Sequence, residues 1–148
     1  MDSLEYHLKN SLGHLMGRTS RAIMSLLQKR FVEVGHDITV EQWLLLVNLR
    51  NRNGQFQQQL ADSTYKDKTT VARIVDGLER KGLVERIQDT IDRRQKRIRL
   101  TPDAKKLLAK LKPLALEVQV QVLDDITVKE LESCSRVLLK IYENANMI

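Results

Sequence analysis

The sequence is poor in the residue types that mark disulfide-linked, fibrous and disordered proteins. Its 148 residues contain one cysteine, two prolines and six glycines, and 4% are aromatic. One cysteine excludes an internal disulfide and fits a reducing cytoplasm. The low proline and glycine content, together with 42% hydrophobic residues, excludes collagen-like and disordered chains. We expect a folded cytoplasmic protein, because a chain of this length buries about 70% of its unfolded surface without a disulfide or a metal.

Long apolar runs are also missing. The longest one, WLLLV at 43–47, is far shorter than the roughly 20 residues that cross a bilayer. The N-terminus reads MDSLE, which is acidic where a secretory signal is basic. The sequence has no glycine-rich phosphate loop, nucleophile elbow or Cys-x-x-Cys motif. It therefore predicts no membrane partner, no cofactor and no enzyme.

The positive charge is concentrated in one segment. The chain has 25 lysine and arginine residues against 19 acidic ones, a net charge of +6. Thirteen basic and seven acidic residues lie between Lys66 and Lys106, so this segment carries the whole excess and the remainder is neutral. A basic surface on a neutral scaffold is typical of a protein that binds a polyanion. A solvated basic face without a partner is the alternative interpretation of the charge alone.

The pattern of apolar residues predicts two helices in the first third of the chain. Apolar residues recur at threes and fours over 4–34, which indicates one long helix that Gly35 can end. Thr39 and Gln42 then form a capping box, in which the side chain of each residue accepts a hydrogen bond from the backbone amide of the other. A second helix is expected there, with Trp43–Val47 facing inward.

Two shorter helices are expected next. Residues 55–62 predict a brief third helix without a capping side chain before it. Asp67 can cap a fourth helix, which Gly82 ends. The apolar positions of this fourth helix follow the spacing of one helix face: Val71, Ile74, Val75 and Leu78.

Alternation of apolar and polar residues predicts a pair of strands after the fourth helix. The segments 83–87 and 96–100 both alternate, and the polar segment 88–95 separates them. Two antiparallel strands around a basic tip are the natural interpretation. A helix-turn-helix followed by such a two-stranded β wing is a winged helix-turn-helix.

The remainder of the chain predicts two more helices. Thr101-Pro102-Asp103 is a strong helix start, because it combines a cap, a proline at helical φ and an acid at the positive end of the dipole. Pro113 should kink or split this fifth helix. Thr127 and Glu130 form a capping box for a sixth. The fold is thus predicted to be mainly α, with long N- and C-terminal helices whose apolar stripes favour burial against a second copy.

The exposed side of the fourth helix is a candidate DNA-reading surface. Its outward residues and the turn before it supply cations and hydroxyls where free backbone amides favour a phosphate: Lys66, Lys68, Thr69, Thr70 and Arg73. Arginine suits bidentate contact with guanine, and threonine can bond a base or touch a thymine methyl. An ordinary surface helix with scattered charge is the alternative.

The hairpin tip is a second candidate site. Residues 93–99 contain five cations and no acid, so they repel one another unless something neutralises them. A phosphate backbone would do so, and Arg93, Arg94 and Lys96 are the expected contacts. An arginine at such a tip can enter the minor groove, and Asp92 can hold its orientation. A solvated loop is the alternative.

A family resemblance accompanies these patterns between Thr39 and Thr101. The segments QQQLA at 57–61, DKTTVARIVDGLERKGLVER at 67–86 and DRR at 92–94 resemble a MarR-type transcriptional regulator. Two departures stand out. Phe56 occupies the position where many relatives carry a capping threonine, and the first helix has no cysteine of the kind that senses organic hydroperoxides.

The resemblance implies a ligand-responsive repressor that binds a pseudo-palindromic operator as a homodimer. It implies a DNA-binding lobe over 36–100 and a helical dimerisation region over 1–35 and 101–148, within one continuous domain. Matching positions imply that Thr69, Thr70 and Arg73 read the major groove and that Arg94 enters the minor groove. The family also implies a phenolic or other aromatic small-molecule effector, although no residue of the sequence identifies its pocket.

The residues that most often bind metals or react with oxidants give weaker patterns. Cys134 lies among apolar positions of the sixth helix, which favours a packed thiol over a redox sensor. His7 and His14 share a helix face but lack further ligands at suitable spacing, so no metal site is expected. His36 is interpreted as a helix-end residue.

Two other functions compete with duplex binding. A winged helix can serve as a protein-interaction module without sequence-specific DNA binding, which predicts an acidic partner protein. RNA binding is the weaker alternative, because the six aromatic residues are dispersed rather than clustered for stacking on unpaired bases.

Overall fold

The computed structural model describes residues 11–147, so the beginning of the predicted first helix, residues 4–10, and His7 with it lie outside the described residues. The described chain is mainly helical, with six α-helices and three short strands. Two compact units can be distinguished, one that ends at Val118 and one that begins at Gln119. The predicted winged helix-turn-helix is confirmed and lies in the first unit. In the described range no helix is long and apolar enough to cross a membrane.

The first two helices form part of the core of the first unit. Helix α1 spans Leu12–Glu33 and α2 spans Val40–Asn51. Between them Gly35 has φ 79°, the left-handed conformation that glycine adopts without strain. The predicted capping box of α2 is present, since Thr39 Oγ1 accepts from the Gln42 amide at 3.1 Å. The buried ring of Phe31 meets the Trp43 ring edge-on at 5.8 Å between centroids.

Helices α3 and α4 follow as the helix-turn-helix pair. Helix α3 spans Gln57–Thr64 and α4 spans Lys68–Arg80. As predicted, no side chain caps the start of α3, although Gln59 Oε1 accepts from the Phe56 amide at 2.9 Å. The predicted apolar stripe of α4, from Val71 to Leu78, is fully buried. It orients the opposite face of the helix toward solvent.

The sheet has three strands, so the prediction of a two-stranded wing was incomplete. Strands β2, Val84–Gln88, and β3, Lys96–Leu100, pair as expected. A third strand, β1, comprises Gln55–Phe56 and pairs with β3, which gives the order β1-β3-β2. These two residues were predicted as the start of the third helix. Their side chains give no strand signal, because a two-residue strand exists only when β3 provides backbone partners.

Helix α5 spans Pro102–Val122 and is not split by Pro113, contrary to one of the two predicted outcomes. A proline inside a helix removes one backbone hydrogen bond. The helix continues because Leu108, Leu111 and Val118, on both sides of the proline, are buried in the first unit. The predicted start is confirmed, with Thr101 Oγ1 accepting from the Ala104 amide at 3.2 Å.

The second unit contains the end of α5 and helix α6, Val128–Ala145. Its predicted capping box is present, since Thr127 Oγ1 accepts from the Glu130 amide at 3.2 Å. Large apolar side chains of α6 are nevertheless exposed, among them Leu131, Val137 and Leu138. The prediction of a packed thiol was wrong for this chain by itself: Cys134 is exposed, because the neighbouring apolar residues of α6 are themselves uncovered.

Candidate nucleic-acid interface

The N-terminus of α4 is fixed by an aspartate that engages Thr70 twice. Asp67 Oδ1 accepts from the Thr70 amide at 2.8 Å, and Asp67 Oδ2 accepts from the Thr70 hydroxyl at 2.7 Å. These two bonds hold the pKa of Asp67 below its ordinary value, the backbone bond most strongly. The Thr70 hydroxyl therefore donates its one hydrogen bond to Asp67 and retains only acceptor capacity, whereas Thr69 beside it is exposed.

A carboxylate of α2 faces two of the predicted DNA-binding cations. Glu41 Oε2 accepts from Arg73 Nη2 at 3.2 Å, and Glu41 Oε1 lies 3.9 Å from Lys66 Nζ. Arg73 remains 66% exposed, so most of its guanidinium faces solvent. Sequence reasoning missed Glu41, because it precedes Arg73 by 32 residues and no local pattern joins them.

The wing is tied to α4 by an arginine that was not predicted as a site residue. Arg86 of β2 donates to Asp76 at 2.6 Å and to Glu79 at 2.9 Å, and its side chain is 19% exposed. Both carboxylates lie on α4. This bidentate bridge sets the position of the wing relative to the helix that it flanks.

At the wing tip the structure places Asp92 against Arg94. Asp92 Oδ1 accepts from both the amide and the Nε of Arg94 at 3.1 Å. These bonds, the side-chain bond first, lower the pKa of Asp92. The Arg94 side chain is 91% exposed. It is thus oriented at its base and free to contact a partner with its remaining donors.

The base of the wing loop is organised by a buried carboxylate that sequence reasoning did not identify. Asp89 is 7% exposed; its carboxylate accepts from the Asp92 amide at 3.0 Å and from Arg97 Nε at 2.8 Å. Both bonds lower the pKa of Asp89, the amide bond more strongly. Arg97 also donates to the Gly54 carbonyl at 2.9 Å and stacks on the Phe56 ring at 4.2 Å. Arg97 therefore connects the wing to β1.

These pairings correct the expectation that cations 93–99 lack neutralising acids. Arg94, Arg97 and Arg99 pair with Asp92, Asp89 and Glu85 respectively, and the pairing of β2 with β3 brings the last two acids close. Three predicted contacts have no acidic partner among residues 11–147, and all three are exposed: Lys68, Arg93 and Lys96.

One cleft brings several predicted residues together. It has a volume of about 560 Å³ and lies between the start of α3, the start of α4 and the wing. Lys68, Arg94 and Lys96 line it, together with Gln57 and Gln58. The other predicted cations lie elsewhere: Lys66 and Arg73 face Glu41, and Arg93 lies outside the cleft lining.

A separate cavity lies between α2 and α5 within the first unit. It has a volume of about 370 Å³ and is lined by Trp43, Val47, Arg50, Asn51, Leu108 and Lys112. The buried Trp43 Nε1 has no hydrogen-bond acceptor in the part of the chain that is described. Arg50 and Lys112 have no acidic partner there either. The cavity thus combines apolar walls, among them Trp43, with two cations.

No group of histidine, cysteine, aspartate and glutamate side chains with metal-binding geometry occurs within residues 11–147. His14 lies within this range and His7 outside it, so the expectation of no metal site at these two histidines stays a prediction. His36 directly follows the turn that ends α1, as expected for a helix-end residue.

Comparisons with known proteins agree with this architecture. A model of the MarR family matches residues 38–96. The solved structure of transcriptional regulator PA3341 is 38% identical, with 91% of this chain and 98% of the other covered and a TM-score of 0.78. BpsR of Bordetella bronchiseptica, whose DNA binding is regulated by 6-hydroxynicotinic acid, is 23% identical, covers 93% and 96%, and has a TM-score of 0.85. A mutant MarR of E. coli, solved with operator DNA, is 23% identical, covers 88% and 92%, and has a TM-score of 0.82.

Proposed function

Because the chain belongs to the MarR family, we propose that it is a cytoplasmic transcriptional repressor, without catalytic activity, that binds duplex DNA as a homodimer and is released by a small molecule. The observation that carries this proposal is the cleft where Lys68, Arg94 and Lys96 converge. These side chains come from α4 and from the wing, the two elements by which a winged helix contacts a duplex. Lys68 and Lys96, which have no acidic partner among residues 11–147, can neutralise phosphates there, and Arg94 keeps donors beyond those that bond Asp92.

The binding mode follows from the orientation of α4 and the wing. The exposed face of α4 carries Thr69 and Arg73 toward the major groove, while Arg94 at the wing tip reaches the minor groove. The phosphates are contacted by Lys66, Lys68, Arg93 and Lys96. The Thr70 hydroxyl accepts a hydrogen bond from a base edge in the major groove. Residues 36–100 form this lobe, with 1–35 and 101–148 as the dimerisation region. Two copies on successive half-sites place their recognition helices about 34 Å apart, which requires a pseudo-palindrome.

A salt titration with wild-type protein tests duplex binding. The probe is a duplex enriched by the protein from a randomised library, compared with a scrambled duplex of the same composition. The logarithm of affinity should fall linearly with the logarithm of salt concentration, because bound phosphates release counterions. A salt-independent affinity, or equal binding to both duplexes, would contradict the proposal. Equal binding combined with a heteromeric complex would favour the protein-interaction module.

Substitution of Arg94 tests the assignment of the wing. Arg94→Ala should weaken binding of the enriched duplex about tenfold and lower the salt slope by about 1 per half-site. Arg99→Ala is the matched control, since Arg99 also lies on the wing and pairs with a carboxylate at 3.3 Å. Equal effects of the two substitutions would remove the assignment of Arg94 to the minor groove.

The cavity between α2 and α5 is the proposed effector site. BpsR responds to 6-hydroxynicotinic acid, an aromatic acid, and this cavity offers apolar walls for a ring and two cations for a carboxylate. Pockets of about 300 Å³ or more accommodate small ligands. Trp43 is the single tryptophan of the chain, so its fluorescence reports occupancy.

Fluorescence titrations with 6-hydroxynicotinic acid and with salicylate test this site. Saturable quenching of Trp43 is expected, and the double substitution Arg50→Gln with Lys112→Gln should weaken it about tenfold, because it removes both charges that face the carboxylate. The neutral amide of the same ring should bind the wild type about as weakly as the acids bind the double variant. Unchanged titrations in the double variant would place the effector elsewhere.

A further inference from the structure

A negative charge lies on the surface that we propose contacts DNA. Glu41 occupies the first turn of α2, where its negative charge also interacts favourably with the helix dipole. Its two carboxylate oxygens face different cations, Arg73 of α4 at 3.2 Å and Lys66 of the preceding turn at 3.9 Å. A carboxylate in this place repels phosphates, so its presence lowers rather than raises general affinity for DNA.

The contact with Glu41 leaves most of Arg73 available. A guanidinium has five N–H donors in a rigid plane, and Glu41 accepts from Nη2. Glu41 takes one of the two Nη2 N–H groups, so the other stays free beside a parallel donor of the same plane, either Nε or Nη1. Because the plane is rigid, holding one nitrogen orients the others. An arginine that is restrained in this way presents a fixed pair of donors, which bidentate recognition of a guanine edge requires.

We propose that Glu41 is a positioning residue that increases sequence discrimination by restraining Arg73. In a complex with the preferred duplex, Arg73 keeps its bond to Glu41 and turns its other donors to a base edge. On another duplex the same restraint hinders Arg73 from reorienting toward a phosphate. Glu41 thereby reduces non-specific affinity more than specific affinity. This inference rests on the proposed duplex binding.

The test compares the enriched duplex with the scrambled duplex for the wild type and for Glu41→Gln. The substitution removes the charge and keeps the size of the side chain. The ratio of the two affinities should fall about fivefold, which is of the order that one exposed ion pair contributes. Most of this fall should come from tighter binding of the scrambled duplex.

Glu85→Gln provides a matched control. Glu85 also bonds an arginine, Arg99, at 3.3 Å, and it is 51% exposed against 48% for Glu41. Glu85→Gln removes the same charge from the same lobe as Glu41→Gln does, but the partner of Glu85, Arg99, is not a proposed base contact. The control should leave the ratio unchanged. A fall as large as that of Glu41→Gln would mean that only the net charge matters, and it would overturn the inference.

Two further measurements separate positioning from a merely structural role. In an Arg73→Ala background, Glu41→Gln should not lower the ratio further, because the two residues act through one contact. Glu41→Asp keeps the negative charge and its favourable interaction with the helix dipole, but it shortens the side chain by one methylene. The carboxylate then no longer restrains Arg73, so the ratio should still fall. A full effect without Arg73, or a wild-type ratio for Glu41→Asp, would overturn the proposal.

Failure of the proposed function gives a different result. If the wild-type protein enriches no duplex from the library, duplex recognition itself is wrong and the role of Glu41 is wrong with it. If it enriches one and Glu41→Gln keeps the wild-type ratio, duplex recognition stands and only the role of Glu41 is removed.

Discussion

Two aspartates of the wing contribute in different ways. Asp92 is only partly covered and orients Arg94, the side chain at the tip. Asp89 is buried and holds the loop together, because its carboxylate accepts from the Asp92 amide and from Arg97. Arg97 continues the connection to the Gly54 carbonyl. The orientation of Arg94, an exposed side chain that we propose contacts DNA, thus depends on a carboxylate that itself faces away from solvent.

Asp89→Asn should destabilise the protein at neutral pH. Asparagine keeps one acceptor oxygen but replaces the other by an amide nitrogen, so the charge-assisted bonds from Asp92 and Arg97 are not both retained. We expect the Tm to fall by about 3 °C. Thermal unfolding at pH 7 measures this, with Glu85→Gln, which breaks an exposed pair, as a control whose Tm should stay near that of the wild type.

The effect of Asp89→Asn should depend on pH in a defined direction. The folded-state pKa of Asp89 lies below its ordinary value. Its stabilising contribution is therefore complete above the unfolded-state pKa, about 3.9, and is lost as the pH falls through the folded-state pKa. Urea unfolding at a series of pH values should show the wild-type advantage shrinking below about pH 4. An advantage that grows toward acid would contradict the role of the charged carboxylate.

At the scale of elements, the junction of α2 and α4 depends on the absence of a side chain. Gly77 is buried on α4, and a Cβ atom there would lie 2.9 Å from Gln42 Nε2. Gln42 is not free to move without cost. Its Oε1 accepts from the Thr39 amide at 3.2 Å and from Lys81 Nζ at 3.0 Å. A Cβ atom at this position would therefore displace the Gln42 side chain and disturb both of these hydrogen bonds.

Gly77→Ala should destabilise the protein, although alanine is the better helix former. Alanine contributes up to about 1 kcal/mol by propensity, whereas displacing Gln42 disturbs both the capping box of α2 and the bond to Lys81, which together cost about 2 kcal/mol. We expect a net loss of about 1 kcal/mol in urea unfolding. Gly17→Ala in α1 is the control: its Cβ would have only an ordinary 3.5 Å contact with Arg21, so it should stabilise. A stabilised Gly77→Ala variant would show that Gln42 adapts freely.

At the scale of the whole molecule, the distribution of charge and exposed apolar surface favours a dimer. The basic segment 66–106 carries the net charge of +6, and a homodimer presents two such segments to one duplex. Helix α6 has exposed apolar side chains, including Leu131, Val137 and Leu138. A helix with such a stripe is stabilised when a partner covers it.

Leu138→Glu should weaken the dimer at least tenfold, because the new carboxylate would be desolvated in an apolar interface. Sedimentation equilibrium measures the dissociation constant, and affinity for the enriched duplex should fall with it. Lys129→Glu in the first turn of α6 also introduces a carboxylate, at a position where the helix dipole favours it, and should leave the dimer intact. An unchanged dissociation constant for Leu138→Glu would exclude this stripe from the interface.

The sequence by itself determined most of the fold, because the signals for these elements are local. Helix periodicity and the caps Thr39, Asp67 and Thr127 identified the helices from α2 onward, and strand β3 was predicted at its observed bounds. Each of these signals acts within about four residues, through side chains that share a face or bond the nearest backbone amides. The concentration of positive charge between Lys66 and Lys106 likewise needs only the order of residues.

The tertiary structure alone decided how the charges are paired and which residues surround each cavity. Strand β1 exists because β3 offers it a partner, and Glu41 meets Arg73 across 32 residues. The same holds for Arg86 with Asp76 and Glu79. Local sequence shows that these residues are charged, but an ion pair forms only where the backbone brings both ends within about 4 Å. Packing of distant elements sets that distance.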